Sequence, residues 1–174
     1  MPGSVRENDD FVRGFVIANS IGTALDVGAG QGTYADILKG HLAMIDGIEV
    51  WTDYIVEFDL LRKYTMVHSQ DARVLLPDLA DIYSEPQYDL IIFGDILEHM
   101  TEEEALTCWD AAGKIATWGL ISVPIIHYPQ GAVGGNPYEV HVQDHLTPER
   151  VREVYGPFDY EFLGNITGTF VKRF

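Results

Sequence analysis

Thr23-Ala-Leu-Asp-Val-Gly-Ala-Gly-Gln-Gly-Thr-Tyr34 decides how the rest of this chain is read. Ala24, Leu25 and Val27 form a short apolar run, as in a strand buried on both faces. Gly28, Gly30 and Gly32 follow at alternate positions. Without a Cβ, glycine lets a ligand lie against the backbone. Tyr34, Ile37 and Leu38 then recur at helical spacing, so the loop joins a strand to a helix whose first N–H groups point at the ligand. The stretch predicts a nucleotide-type pocket at the carboxyl end of a first strand.

Outward from the loop, apolar strands alternate with helical patterns. A leading helix falls within residues 6–19, covering one edge of a sheet, and a helix spans Thr33 to Leu42. Ile48, Val50 and Trp51 mark a second strand, Ile55 to Tyr64 a helix, and Thr65 to Ser69 a third strand. Residues 77–86 read as polar and broken, with a short helix whose Leu79 and Ile82 face inward. Tyr88 to Phe93 is the clearest strand. Thr101 and Glu104 form a capping box opening a helix with Ala105, Leu106, Trp109, Ala112 and Ala116 on its buried side. Leu120 to Ile126 is a fifth strand, and Thr147-Pro148 starts a helix that Gly156-Pro157 stops. Strands from Tyr160 to Ile166 and Thr169 to Phe174, joined at Gly168, close the chain. This order predicts an α/β fold: a doubly wound, mostly parallel sheet with helices on both faces and an antiparallel edge at the C-terminus.

Composition narrows the function. The 174 residues suit one domain, with residues 1–20 as its leading helix. Hydrophobic content of 47% argues for a packed core rather than disorder. The net charge is −16, and from Val74 to Glu149 Lys114 is the only Lys or Arg. Such a surface repels phosphate backbones and anionic lipids, so neither nucleic acid nor a membrane is the expected partner. No signal-peptide pattern opens the chain, and Cys108 is a single cysteine expected to be a buried, inert thiol. A cytoplasmic protein, monomeric or homodimeric, is the expectation.

Ligands in such folds sit beyond the strand ends. Glu49 lies in the second strand, where a carboxylate can accept from both hydroxyls of a ribose. Asp53 competes for that role if the strand runs longer. Asp71-Ala72 follows the third strand and suits an adenine edge, and Gly94-Asp95 follows the fourth.

Asp26-Val-Gly-Ala-Gly-Gln-Gly32, Ile48-Glu-Val-Trp51, Gln70-Asp-Ala72 and Tyr88-Asp-Leu-Ile-Ile-Phe-Gly-Asp-Ile-Leu-Glu-His-Met100 together resemble the class I S-adenosylmethionine-dependent methyltransferases, over Thr23 to Phe174. The resemblance implies a Rossmann-like sheet of seven strands with the last inserted antiparallel beside the one before it. It implies S-adenosylmethionine held by Asp26, Gly28, Gly30, Gly32, Tyr34, Glu49, Asp71, Ala72 and Asp95. It implies a methyl group passed in line to an oxygen or nitrogen of a small-molecule or peptide acceptor. The chain departs from many relatives at Asp53-Tyr54 after the second strand. A non-catalytic S-adenosylmethionine-binding scaffold is the alternative. An NAD-dependent oxidoreductase ranks third, because Gly28-x-Gly30-x-Gly32 is not the dinucleotide spacing.

Residues 127–147 form a long Gly- and Pro-containing loop, expected to act as a substrate lid. His127, Tyr128 and Tyr138 are its substrate candidates, and His99, His141 and His145 the candidate bases. Asp95-Ile-Leu-Glu-His99 also resembles the Glu-x-x-Glu-His metal site of small-RNA terminal 2′-O-methyltransferases and of ubiquinone-pathway O-methyltransferases. On that resemblance a divalent metal would be held by Asp95, Glu98 and His99, with His141 or His145 completing the site. A metal-free site is the first expectation.

Overall fold

A computed structural model describes residues 5–174; residues 1–4 of the expected leading segment lie outside the described residues. Seven strands form one sheet: β1 (Thr23–Val27), β2 (Met44–Ile48), β3 (Met66–His68), β4 (Tyr88–Gly94), β5 (Ala116–Pro124), β6 (Tyr160–Leu163) and β7 (Thr167–Arg173). Their spatial order is β3-β2-β1-β4-β5-β7-β6. β1 to β5 pair in parallel, and β7 lies antiparallel between β5 and β6. The expected Rossmann-like sheet with an antiparallel strand near the C-terminus is the observed one.

The strands are buried on both faces because successive side chains alternate between two helical layers. Leu25, Val27, Ile91, Phe93, Ile121, Val123 and Phe170 pack beneath α5 (Ala72–Ile82), α6 (Glu102–Ile115) and α7 (Pro148–Tyr155). Their neighbours Ala24, Leu90, Ile92, Leu120 and Val171 meet α1 (Asp9–Ala18) and α2 (Thr33–Ile37) on the other side. Each such fully buried aliphatic or aromatic side chain contributes about 1.5–3 kcal/mol. Cys108 is buried in the first layer, as expected.

Several boundaries differ from the sequence reading, each for a local reason. α1 covers a face of the sheet rather than an edge, because Val12, Phe15 and Val16 all find apolar partners there. α2 ends at Ile37, before Lys39-Gly40, not at Leu42. β2 stops at Ile48, where β1 runs out at its partner Val27, so Glu49 follows the strand rather than lying within it. The expected 55–64 helix is two helices, α3 (Thr52–Glu57) and α4 (Leu60–Lys63), broken where Asp59 takes a left-handed φ of 52°. α5 runs on through Pro77, capped by Asp71 and seated by Leu75, Leu76 and Ala80, and Ile82 faces solvent at 72% exposure. β5 begins at Ala116 because it must pair with Tyr88 at the start of β4. Gly168 is a β7 residue paired with Val123 and Leu163, and the turn before it is Gly164–Ile166.

That turn is tied to the front of the chain. The Glu7 carboxylate accepts from the backbone N–H groups of Asn165, Ile166 and Thr167. Beside it the buried Asn8 amide donates to Ser122 Oγ at 3.1 Å and Thr169 Oγ1 at 2.8 Å. The 3₁₀ turn Arg6–Asn8 is thereby fixed over the carboxyl end of β5.

The capping box at α6 is present in both directions: Thr101 Oγ1 accepts from the Glu104 N–H and Glu104 accepts from the Thr101 N–H. Thr101→Ala is expected to lower stability by about 1 kcal/mol in urea denaturation, with an unchanged slope. An unchanged midpoint would show that the cap carries no weight.

Candidate active site

Beyond the carboxyl ends of β1 to β5 lie two adjoining cavities. The larger, about 440 Å³, runs between the ends of β1, β2 and β3 and is lined by Gly28, Glu49, Asp71, Ala72, Ile96 and Tyr138 among others. The second, about 150 Å³, opens beside the glycine loop towards β4 and β5, among Gly30, Tyr34, Asp95, Glu98, His99 and His141.

The glycine loop is held from below. Backbone N–H groups of Gly28 and Ala29 both donate to the Ile48 carbonyl at 2.9 Å, fixing the loop against the end of β2. Gly28 has φ +74°, and a Cβ there would meet Ile96 Cδ1 at 2.6 Å, so the position requires glycine on both counts. Gly94 must also lack a Cβ, because the Tyr34 ring lies directly against it.

Glu49 is the centre of this end of the cleft. Its Oε2 accepts from the Gly30 N–H at 2.8 Å and its Oε1 from the Trp51 N–H at 2.7 Å. Only 5% of the residue is exposed. Burial raises its carboxyl above the ordinary range, and the two backbone donors pull it back. Glu49 lines the larger cleft, and each of its oxygens retains further acceptor capacity. Asp53, the competing acid, sits exposed on the first turn of α3 and lines neither cavity. The geometry places Glu49, not Asp53, in the cleft.

Asp71 caps α5 through the Arg73 N–H at 2.9 Å, and the Arg73 guanidinium grips both its oxygens. That pairing holds its carboxyl below the ordinary range. Asp71 and Ala72 line the far end of the cleft as expected, with Arg73, which the sequence reading passed over, beside them. Asp26 is placed differently from the expectation. It lies within β1 beneath the loop, 1% exposed, and lines neither cavity. Its Oδ2 accepts from Tyr64 Oη at 2.5 Å. Gly32 likewise stays out of both cavities and shapes the turn into α2.

In the smaller cavity the residues brought together are Asp95, Glu98, His99 and His141. Asp95 stands at a left-handed φ of 51° at the end of β4. Glu98 is 1% exposed, and neither of its oxygens has a hydrogen-bond partner among the described residues. Desolvation, with Asp95 close by, pushes its carboxyl well up. Burial and the adjacent His141 pull the His99 imidazole down to about 4, and burial lowers His141 too. Both rings are neutral at neutral pH. Gln130 and Glu139 also face this cavity. Neither was singled out from the sequence, because a lone Gln and a lone Glu carry no motif spacing in that loop.

Residues 127–147 are not a shapeless lid. The loop folds back on itself through His141 N–H to Gln130 O at 3.0 Å and Tyr128 N–H to Asp144 O at 2.9 Å, with a 3₁₀ turn at Pro137–Glu139. Val142 and Gln143 N–H groups both donate to the Glu98 carbonyl, locking the loop to the 3₁₀ turn Leu97–His99. His127 and His145 stand together on the exposed outer side, ring centroids 5.8 Å apart, and line neither cavity. Of the two loop histidines expected as bases or metal ligands, His141 lines the smaller cavity and His145 does not. Tyr128 faces the smaller cavity and Tyr138 the larger cleft.

Neither a scan of protein-family models nor a search of curated proteins finds a match to this chain. Solved structures do match. The PH0226 protein of Pyrococcus horikoshii OT3 superposes with a TM-score of 0.71 at 14% identity, over 95% of this chain and 87% of that one. An S-adenosylmethionine-dependent methyltransferase of Clostridium acetobutylicum ATCC 824 gives 0.68 at 9% identity, over 95% and 89%. The magnesium protoporphyrin IX methyltransferase of Synechocystis PCC 6803, solved with bound S-adenosylhomocysteine, gives 0.67 at 16% identity, over 95% and 81%. The chain has the class I S-adenosylmethionine-dependent methyltransferase fold. Among the described residues no helix is long and apolar enough to cross a membrane.

The buried Asp26 yields a pH signature. Desolvation, opposed by Tyr64 and aided by Glu49, raises its carboxyl to about 7 from an ordinary 3.8. The fold thus favours the protonated form, a contribution whole below the ordinary value and lost as pH rises through about 7. Between about pH 5 and about pH 8, wild-type stability should fall relative to Asp26→Asn, which does not titrate. Parallel denaturation curves across that range would place the charge elsewhere.

Proposed function

We propose that this chain is an S-adenosylmethionine-dependent methyltransferase acting on an oxygen or nitrogen of a small-molecule or peptide acceptor. The observation that carries this reading is the Glu49-braced glycine loop in a sheet whose β7 inserts antiparallel between β5 and β6. Dinucleotide-binding sheets run parallel in the order 3-2-1-4-5-6 and carry Gly-x-Gly-x-x-Gly. This chain has neither, which weighs against an NAD-dependent oxidoreductase.

In this reading the larger cleft takes the adenosine moiety. Glu49 accepts from the ribose hydroxyls, Asp71 and the Ala72 backbone face the adenine edge, and the apolar walls of Ile48, Ile96 and Met100 sandwich the base. Gly28, Gly30, Tyr34 and Asp95 border the methionine end, where the cleft gives way to the smaller cavity. The acceptor enters that cavity. A sulfonium already carries an activated methyl group, so the site has chiefly to align the acceptor and exclude water. The methyl carbon leaves sulfur as the acceptor lone pair forms the new bond, and the acceptor's proton goes to a neutral imidazole of His99 or His141. The cavity's side chains include carboxylates and imidazoles but no Lys or Arg, which suits a neutral or cationic acceptor. The neutral imidazoles facing the cavity favour an enzyme over a non-catalytic scaffold.

Glu49→Ala should weaken S-adenosylhomocysteine binding by about 1.5–3 kcal/mol, because it removes a charged acceptor. Asp53→Ala should leave affinity within about twofold. Gly30→Val, which fills the loop, should abolish binding. Calorimetric titration of the three variants checks all of this. Equal affinity in all of them would remove the proposed cleft. Transfer of label from methyl-labelled S-adenosylmethionine to hydroxyl or amine acceptors would establish the reaction.

A further inference from the structure

Buried polar groups have partners in folded proteins, and at one corner of the smaller cavity the protein supplies none. Glu98 is buried there with both carboxylate oxygens unpartnered among the described residues. The donors around it are already spent. The Val142 and Gln143 N–H groups go to the Glu98 main-chain carbonyl, at 2.8 and 2.9 Å, and the Gln130 amide goes to the Glu139 carbonyl at 2.8 Å. His99 Nδ1 lies 3.2 Å from the Val140 carbonyl and His141 Nδ1 2.6 Å from the Tyr128 carbonyl. A carbonyl only accepts, so each Nδ1 carries the proton and each Nε2 keeps its lone pair. One carboxylate oxygen of Glu98 and one ring nitrogen each of His99 and His141 lie within 4.8 Å of one another, so a single small group can touch all three residues.

A molecule seated at this corner must therefore bring the donors. An anion would face Asp95, Glu98 and Glu139 with no Lys or Arg on the lining to answer it. A hydroxyl brings one hydrogen and lone pairs of its own, which an acceptor-rich wall leaves unmet. An ammonium brings three N–H donors, no lone pair, and the positive charge that makes a buried carboxylate tolerable. The cavity, about 150 Å³, takes such a head group with a few carbons.

We propose that the acceptor is a primary amine that enters as its ammonium, and that Glu98 is the residue that selects it. The methylation step rests on the methyltransferase reading and narrows its acceptor atom to nitrogen; the ammonium site does not depend on the cofactor. Glu98 accepts from one N–H of the ammonium and holds the nitrogen beside the two imidazoles. One proton passes from the ammonium to Nε2 of His99 or His141, which frees the nitrogen lone pair. The carbon–nitrogen bond forms as the carbon–sulfur bond breaks. The product leaves as a secondary ammonium with its charge unchanged, and the imidazolium returns its proton to water. Selection is by charge as well as by fit: an alcohol of the same skeleton leaves the carboxylate without its counter-charge.

The test uses the full chain, with a chelator present so that no divalent ion occupies the same acceptors. The probes are n-butylamine, n-butanol and butyrate, which put an ammonium, a hydroxyl and a carboxylate on one skeleton. Binding is followed by saturation-transfer nuclear magnetic resonance on the probe, with and without saturating S-adenosylhomocysteine. The expected result is saturable binding of n-butylamine, n-butanol weaker by about tenfold or more, and no binding of butyrate. Glu98→Gln, which keeps the shape and removes the charge, should weaken n-butylamine by about tenfold or more. Its affinity for S-adenosylhomocysteine should stay within about twofold, which shows that the variant is folded. With methyl-labelled S-adenosylmethionine, label should pass to primary amines and not to alcohols of the same skeleton. Equal binding of n-butylamine and n-butanol, or n-butylamine binding that Glu98→Gln leaves unchanged, overturns the amine assignment. So does a chain that binds S-adenosylhomocysteine but not n-butylamine, and in all three cases the cofactor reading stands. A chain that binds n-butylamine through Glu98 but no S-adenosylhomocysteine supports the ammonium site and contradicts the methyltransferase reading.

Discussion

One carboxylate bridges the two pieces of backbone that make the cleft. Glu49 takes the Gly30 N–H on one oxygen and the Trp51 N–H on the other, joining the glycine loop to the chain leaving β2. A buried carboxylate is tolerated only where donors surround it, and here both are main-chain groups that cannot rotate away. The loop is thus set before a ligand arrives. Preorganisation of this kind lowers the ordering cost of binding. The sheet beneath serves the same end. Parallel strands buried on both faces bring five carboxyl ends to one side, and Asn8 and Glu7 fasten the start of the chain over the same rim.

The site is unusual in its electrostatics. Glu98 and Glu139 are pushed towards neutrality by burial, and no Lys or Arg lines the smaller cavity that they face. A sulfonium cofactor brings a positive charge into this field. Loss of the sulfonium charge on methyl transfer weakens that attraction. The product is therefore held less firmly by electrostatics than the cofactor was.

Much of this was legible in the sequence because it depends on short-range pattern. The 23–34 run places β1, the loop and α2 by apolar spacing and glycine, and the 101–104 box fixes the start of α6. Glu49 could be picked out by position, although β2 runs from Met44 to Ile48 and ends one residue before it. What escaped depends on contacts far apart in the chain. Which of the two candidates, His141 or His145, faces the cavity depends on how the loop folds back on itself, where Tyr128 N–H meets the Asp144 carbonyl and the His141 ring meets the Tyr128 carbonyl. Asp26 reads as a ligand acid in the motif, yet Tyr64 claims it from 38 residues away. The short helix expected within residues 77–86 is the second half of a longer one, because the Asp71 cap and apolar packing start α5 at Ala72 and carry it through Pro77.

The account's central claim is that the braced cleft is an S-adenosyl pocket. Its most direct measurement is calorimetric titration of the wild-type chain with S-adenosylhomocysteine, beside NAD under the same conditions. The account predicts saturable one-to-one binding of S-adenosylhomocysteine, with a negative heat-capacity change from burying the adenosine against Ile96 and Met100, and no heat from NAD. Saturable binding of NAD, with none of S-adenosylhomocysteine, would contradict it.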